Sequence, residues 1–221
     1  MGQKSKLVLS NLLWRFAERC GAQGVTFIVQ IILARLLDLE VYGTIALVTV
    51  FITILQVFVD SGLGNALIQK KNADDIDFST VFYFNMAMCM ILYFAIFLTA
   101  PSIADFYNNS ELTPVIRVLG LTIIISGVKN VQQAYVSKTM QFKRFFFSTL
   151  GGTIVAAIMG ITMAYMGFGV WALVTQQLFN ATVGTVVLWT TVKWRPKKAF
   201  SFKRLKVLYD QGWKLLASSL L

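Results

Sequence analysis

Leu12–Leu37 reads LLWRFAERCGAQGVTFIVQIILARLL. At 100° per residue, Arg15, Glu18, Arg19, Gln23, Thr26 and Gln30 fall within an arc of about 140°. Leu12, Leu13, Phe16, Val25, Phe27, Ile28 and Ile32 occupy much of the remaining surface. The stretch is long enough to cross a bilayer as a helix. A charged side chain at the centre of a lipid-facing helix costs about 2.5–3.5 kcal/mol even on the gentler scale. Two arginines and a glutamate on one stripe therefore have to face other protein or a watery cavity. A polar stripe on an otherwise apolar span is the pattern of a helix that lines a path through the membrane.

The rest of the chain continues the apolar theme. Its 221 residues are 57% hydrophobic and 14% charged, with a mean hydropathy of +0.68. Runs of about 20 apolar residues signal membrane spans. Six can be marked, near Leu12–Leu37, Val41–Val59, Phe78–Ala100, Val115–Ser137, Phe145–Met166 and Val170–Val192. Pro101 is expected to end the third span, leaving Pro101–Pro114 as the longest outer connection. Gly167-Phe168-Gly169 is too short for anything but a hairpin.

The expected fold is all-α. Residues 1–192 form a six-transmembrane-helix bundle, 193–206 a basic cytoplasmic linker along the headgroups, and 207–221 the truncated start of a second bundle with a seventh helix. An internal echo supports that last expectation. NLLWRFAERC around Trp14 and DQGWKLLASS around Trp213 share an aromatic, a following cation and a small or apolar run. A second copy beginning after six spans is how tandem-repeat transporters are built.

The net charge of +10 would suggest nucleic acid in a soluble protein. Here the cations fall on alternate connections. Lys4 and Lys6 precede the first span, Lys70 and Lys71 follow the second, Lys138, Lys143 and Arg144 follow the fourth, and Lys193 to Lys206 follow the sixth. This is the positive-inside pattern, with the N-terminus and the end of the sixth span cytoplasmic. The partner surface it implies is anionic lipid, not nucleic acid. The sequence has no His, which excludes imidazole acid–base catalysis and most metal sites. It has no Walker A motif for ATP hydrolysis and no cofactor motif. A membrane polymerase or ligase would want a larger outer loop with catalytic side chains, so no enzyme is expected.

Two further spans carry stripes. Thr49, Thr53, Gln56 and Asp60 share one side of the second, and Thr122, Ser126, Lys129, Gln132 and Gln133 one side of the fourth. Gln176, Gln177 and Asn180 mark the sixth more loosely, and the third and fifth look like packing or lipid-facing helices. The candidate substrate-binding residues are Arg15, Arg19, Gln23, Gln30, Gln56, Lys129, Gln132 and Gln133, with Glu18 and Asp60 as ion-coupling candidates. Each has a plainer role open to it: membrane Gln and Thr glue helices, Arg15 and Arg19 can snorkel to headgroups, and Asp60 can cap a helix. The excess of cations suits an anionic lipid with a polar head, because guanidinium groups fork onto phosphate.

Several segments together resemble one family. They are ARLLDLEVYG (34–43), DSGLGNALIQKK (60–71), QAYVSKTMQFKR (133–144) and GFGVWALVTQQL (167–178). In order and spacing they resemble the oligosaccharide flippase (polysaccharide transporter) family of the multidrug/oligosaccharidyl-lipid/polysaccharide exporter superfamily. The resemblance implies two six-helix bundles with alternating access between them. It implies transport of undecaprenyl-pyrophosphate-linked oligosaccharide from the cytoplasmic to the periplasmic leaflet, for lipopolysaccharide, capsule, exopolysaccharide or teichuronic acid assembly. The chain corresponds to the N-terminal half, whose partner would be the missing second bundle or a second copy. A drug or metabolite antiporter of the same superfamily and a non-transporting fragment stay open as alternatives.

Overall fold

The computed structural model describes the backbone of residues 3–60 and 62–220, with side chains described for 13–59, 62–210 and Gly212. Among these residues every regular element is helical: α1 (Gln3–Leu36), α2 (Leu39–Asp60), α3 (Leu63–Gln69), α4 (Asp75–Phe106), α5 (Leu112–Lys138), α6 (Phe142–Tyr165), α7 (Val170–Thr191) and α8 (Phe202–Leu220). Four segments are long and apolar enough to cross a membrane: Leu39–Gln69, which contains α2 and α3, and then α4, α5 and α6. The remaining two long helices of the expected six, α1 and α7, are diluted by polar residues within their apolar stretches. Arg15, Glu18, Arg19, Gln23 and Gln30 dilute the first; Gln176, Gln177 and Asn180 dilute the second.

Helix α5 is the hub. It packs on α4, α7, α2 and α3, while α6 joins α1 to α7. Lipid offers no hydrophobic drive for helices to associate, so close approach through small residues has to supply it. Ser148, Gly152, Ala156, Gly160 and Ala164 recur every fourth residue on α6 and are all buried. A Cβ on Gly152 would lie 2.9 Å from Asn180 O of α7, and one on Gly160 would lie 2.9 Å from Gln176 Cβ. The α4–α5 pair uses Gly120 against Tyr93 and Ile96, and Gly127 against Cys89. The apolar faces left over are exposed, as on α4 with Met90, Ile91, Phe94 and Leu98.

One expectation needs correction. Pro101 does not end the third span; α4 continues through it to Phe106. A proline inside a helix frees the carbonyl four residues back, and Arg117 Nε donates to that carbonyl, Phe97 O, at 3.4 Å. The outer connection therefore shrinks to residues 107–111 between α4 and α5. After α2 the chain turns before a short helix. Gly62 adopts φ 70°, a left-handed conformation that suits glycine, and α3 starts anew at Leu63. Lys138 Nζ caps α3 by donating to Leu67 O at 3.0 Å and to Lys70 O. The helix after the basic linker, α8, starts at Phe202. The Trp213 side chain of the internal echo lies outside the described residues.

The linker itself is tied down at the end of the bundle that carries the basic connections. The start of α4 is a capping box: Asp77 N donates to Asp74 Oδ1 at 3.0 Å and Asp74 N to Asp77 Oδ2 at 3.2 Å. Asp77 is fully buried and also receives Lys70 at 2.6 Å and Arg204 of α8 at 3.3 Å. Arg204 reaches Asp74 at 2.5 Å, and Lys197 reaches Asp75 at 2.7 Å. Helix α8 also rests on α3, where Gly62 and Gly212 meet so closely that neither tolerates a Cβ without movement.

Candidate functional site

Helices α1 and α2 are neighbours in sequence, yet α1 packs mainly on α6 and α2 mainly on α5. A cleft runs along α1, bounded by α3 and α5 at one end and by α2 and α7 at the other. Toward the basic end it is a space of about 250 Å³ lined by Arg15, Glu18, Asn65, Asn130, Gln133 and Ser137, among others. Toward the opposite end it is a space of about 310 Å³ lined by Thr26, Gln30, Tyr42, Thr153, Gln176, Gln177 and Asn180 with apolar neighbours. The first is charged; the second carries amides and hydroxyls and no formal charge.

Glu18 organises the charged part. It is 8% exposed in the middle of a membrane-length helix. Its Oε1 accepts from Thr149 Oγ1 at 2.9 Å, and Arg15 lies 3.9 Å from Oε2. Oε2 is buried and has no hydrogen-bond partner. Lys129, on α5, lies within the field of the Glu18 carboxylate. Its ammonium points toward α7, since a Cβ on Gly184 would lie 3.2 Å from Lys129 Nζ. Beside it, Ser148 Oγ donates to Gly184 O at 2.5 Å. The arginine is held from its other side, with its guanidinium over the rings of Phe142 at 4.6 Å and Phe145 at 4.8 Å. Such contacts contribute about 0.5–1 kcal/mol at exposed sites and more when desolvated. Arg15 is thus kept at the cleft wall beside Glu18.

The structure brings Arg15, Glu18 and Gln133 to one wall and Gln30 to the other part of the cleft. Arg19 and Gln23 line a shallower depression with Cys20, Ala22 and Thr149, which shares Glu18 with the cleft. Gln132 is elsewhere. It is fully buried and donates from Nε2 to Trp194 O at 3.1 Å, anchoring the linker. Its neighbour Gln133 faces the cleft, so a stripe drawn through both was too wide. Gln56 is half-buried on α2 and lines neither part of the cleft. The Asp60 side chain lies outside the described residues.

Sequence reasoning missed three contributors. Helix α6, expected to be a packing or lipid-facing helix, supplies Thr149 and Thr153 to the cleft region. Asn65 enters from α3, and Asn130 from α5. Among the described residues no group of His, Cys, Asp and Glu could hold a metal ion.

No solved structure matches the chain. Among curated proteins it is 24% identical over 216 residues to the succinoglycan biosynthesis transport protein ExoT of Rhizobium meliloti (strain 1021), covering 98% of this chain and 44% of that protein. It is 24% identical over 180 residues to the lipopolysaccharide biosynthesis protein WzxC of Escherichia coli (strain K12), covering 81% of this chain and 36% of that one. The teichuronic acid biosynthesis protein TuaB of Bacillus subtilis (strain 168) is 24% identical over 167 residues, covering 75% and 35% respectively. The chain spans less than half the length of each of these relatives. The family model described as "Polysaccharide biosynthesis protein" matches residues 32–221, most of the chain, and the chain belongs to that family.

Proposed function

We propose that this chain forms the N-terminal lobe of a transporter that flips undecaprenyl-pyrophosphate-linked oligosaccharide across a bacterial inner membrane. Residues 1–192 make one six-span bundle with a cytoplasmic N-terminus, counting α1 and α7 as spans. Residues 193–206, which include the first turn of α8, link it, and 207–221 begin a second bundle. Alternating access arises between the two bundles. The observation that carries the reading is the charged space between α1, α3 and α5, where Arg15 lies 3.9 Å from the buried carboxylate of Glu18, with Lys129 behind it in the field of that carboxylate.

The chemistry follows from that gathering. Glu18 holds the cations near one another while the cleft is empty. A pyrophosphate brings enough negative charge to compete for Arg15 and Lys129, and the low-dielectric walls strengthen its attraction. Displaced from its cations, Glu18 is the group placed to couple an ion. The amide-rich part of the cleft offers donors and acceptors to sugar hydroxyls. Nothing in this scheme makes or breaks a covalent bond, so the protein acts as a carrier and not as an enzyme. The family membership supports the same direction, since the relatives named above are polysaccharide biosynthesis and transport proteins.

The test is export of polysaccharide by a full-length protein containing this chain. Removing the three charges together in R15Q/R19Q/K129Q is expected to abolish export with the protein still present in the membrane. Wild-type export by that variant would overturn the assignment.

A further inference from the structure

Outside the cleft, the other side of the α6 N-terminus carries a second cationic space. It holds about 340 Å³ and is lined by Trp14, Gln141, Phe142, Lys143, Arg144, Phe147 and Thr191. Among the described residues no acidic side chain lines it. Lys143 Nζ sits 5.5 Å from the Trp14 ring and 5.9 Å from the Phe147 ring. Arg144 has a buried guanidinium nitrogen, NH1, with no hydrogen-bond partner. A buried, unpaired charge-bearing donor is costly to leave without an acceptor, so the space needs an anion.

The surface above it says what carries the anion. Phe147, Ile154, Ile158 and Tyr165 of α6 are all exposed. At 100° per residue they share an arc of about 40°, and the stripe runs about 27 Å along the helix axis. It begins at Phe147, in the wall of the cationic space itself. A free phosphate would use only the cations. A phospholipid would use both, with its phosphate on Lys143 and Arg144 and its acyl chains along the stripe. Trp14, packed edge-on to Phe146 at 5.1 Å, stands where aromatic side chains mark the headgroup level.

We propose that Lys143, Arg144, Trp14 and the exposed face of α6 form a binding site for an anionic phospholipid of the leaflet on the basic side of the protein. The site is separate from the cleft, and Phe142 stands between them: Arg15 stacks on its ring from the cleft side while Phe142 lines the lipid site. The proposal does not depend on what the cleft carries. It requires only that α6 sits in a bilayer.

The experiment is native mass spectrometry of the full chain, released from micelles containing equal amounts of phosphatidylglycerol and phosphatidylcholine with identical acyl chains. The wild-type protein is expected to retain phosphatidylglycerol preferentially. Each cation near an anionic lipid is worth about fivefold in affinity, so K143Q/R144Q should lose roughly tenfold or more, and R144K should keep most of the preference. Equal retention of the two lipids by wild type overturns the proposal, and so does undiminished retention by K143Q/R144Q. Release of the lipid by millimolar inorganic phosphate would show that the apolar stripe adds nothing, which also overturns it. Displacement by undecaprenyl pyrophosphate at far lower concentration would assign the space to substrate instead. Should K143Q/R144Q fail to fold, the wild-type preference between the two lipids still decides.

Discussion

Arg117 reaches from α5 to α4 and donates from Nε to Phe97 O at 3.4 Å, the carbonyl that Pro101 leaves without its helical amide. The same guanidinium lies 4.2 Å from the centre of the Phe97 ring. One side chain thus repairs the proline defect and pins two membrane helices together.

This repair makes a thermodynamic cycle informative. R117A should destabilise the detergent-solubilised protein by about 1–2 kcal/mol, from a charge-assisted hydrogen bond and a cation–π contact. In a P101A background the helix regains its own amide, so Arg117 has less to satisfy. The cost of R117A should then fall to roughly half, read as non-additive shifts in thermal midpoint. Additive shifts would mean that Arg117 acts on α4 independently of Pro101.

The small-residue seam of α6 yields a paired expectation. A Cβ on Gly152 would lie 2.9 Å from a backbone oxygen of α7, whereas one on Gly151 would meet only Val187 Cγ2 at 3.9 Å. G152L should cost about 3 kcal/mol or more through overpacking and lost helix contact. G151A should be neutral or mildly stabilising, since it removes a helix-weakening glycine. Size-exclusion profiles and thermal midpoints of the two variants side by side check this.

What the sequence revealed and what it hid follow one physical rule. Charges on apolar helices stand out, so the α1 stripe pointed to the cleft, and Arg15, Glu18 and Gln30 line it. A helix that lines a cavity by being small leaves no such mark. Helix α6 contributes through Thr149, Thr153 and a run of glycine, alanine and serine, all of which also occur in ordinary packing. Periodicity could not separate Gln132 from Gln133, because adjacent residues differ by only about 100° and both fit one broad arc. The passage of α4 through Pro101 was hidden for another reason. It depends on Arg117, sixteen positions further on, and nothing local to the proline announces that partner.

The acidic start of α4 sets a pH expectation. The Arg204 guanidinium and the Asp77 amide hold the Asp74 carboxyl at about 2, below its ordinary 3.8. A carboxylate with a depressed value stabilises the fold above its unfolded value and loses that contribution as pH falls toward the folded one. The thermal midpoint of the wild type should therefore drop between about pH 4 and pH 2 by more than that of D74N. Asp74 is half exposed, so solvent screens much of the gain and the difference should be small. It should shrink further in high salt. R204Q should remove the same slope, because it removes the largest cause.

Gly184 tests whether Lys129 matters by where it sits. A Cβ there would stand 3.2 Å from Lys129 Nζ and 3.4 Å from Ser148 O. The ammonium is the free end of a flexible chain and can move aside, so G184A should leave stability within about 1 kcal/mol. The displaced ammonium would no longer share the Glu18 field in the same way. Export by a full-length protein containing this chain should fall severalfold in G184A, and K129Q should bring no further loss when added to it. If G184A exports normally while K129Q does not, the lysine acts through its charge alone and its seat against α7 is incidental. If both export normally, Lys129 packs helices and the cationic character of the cleft rests on Arg15.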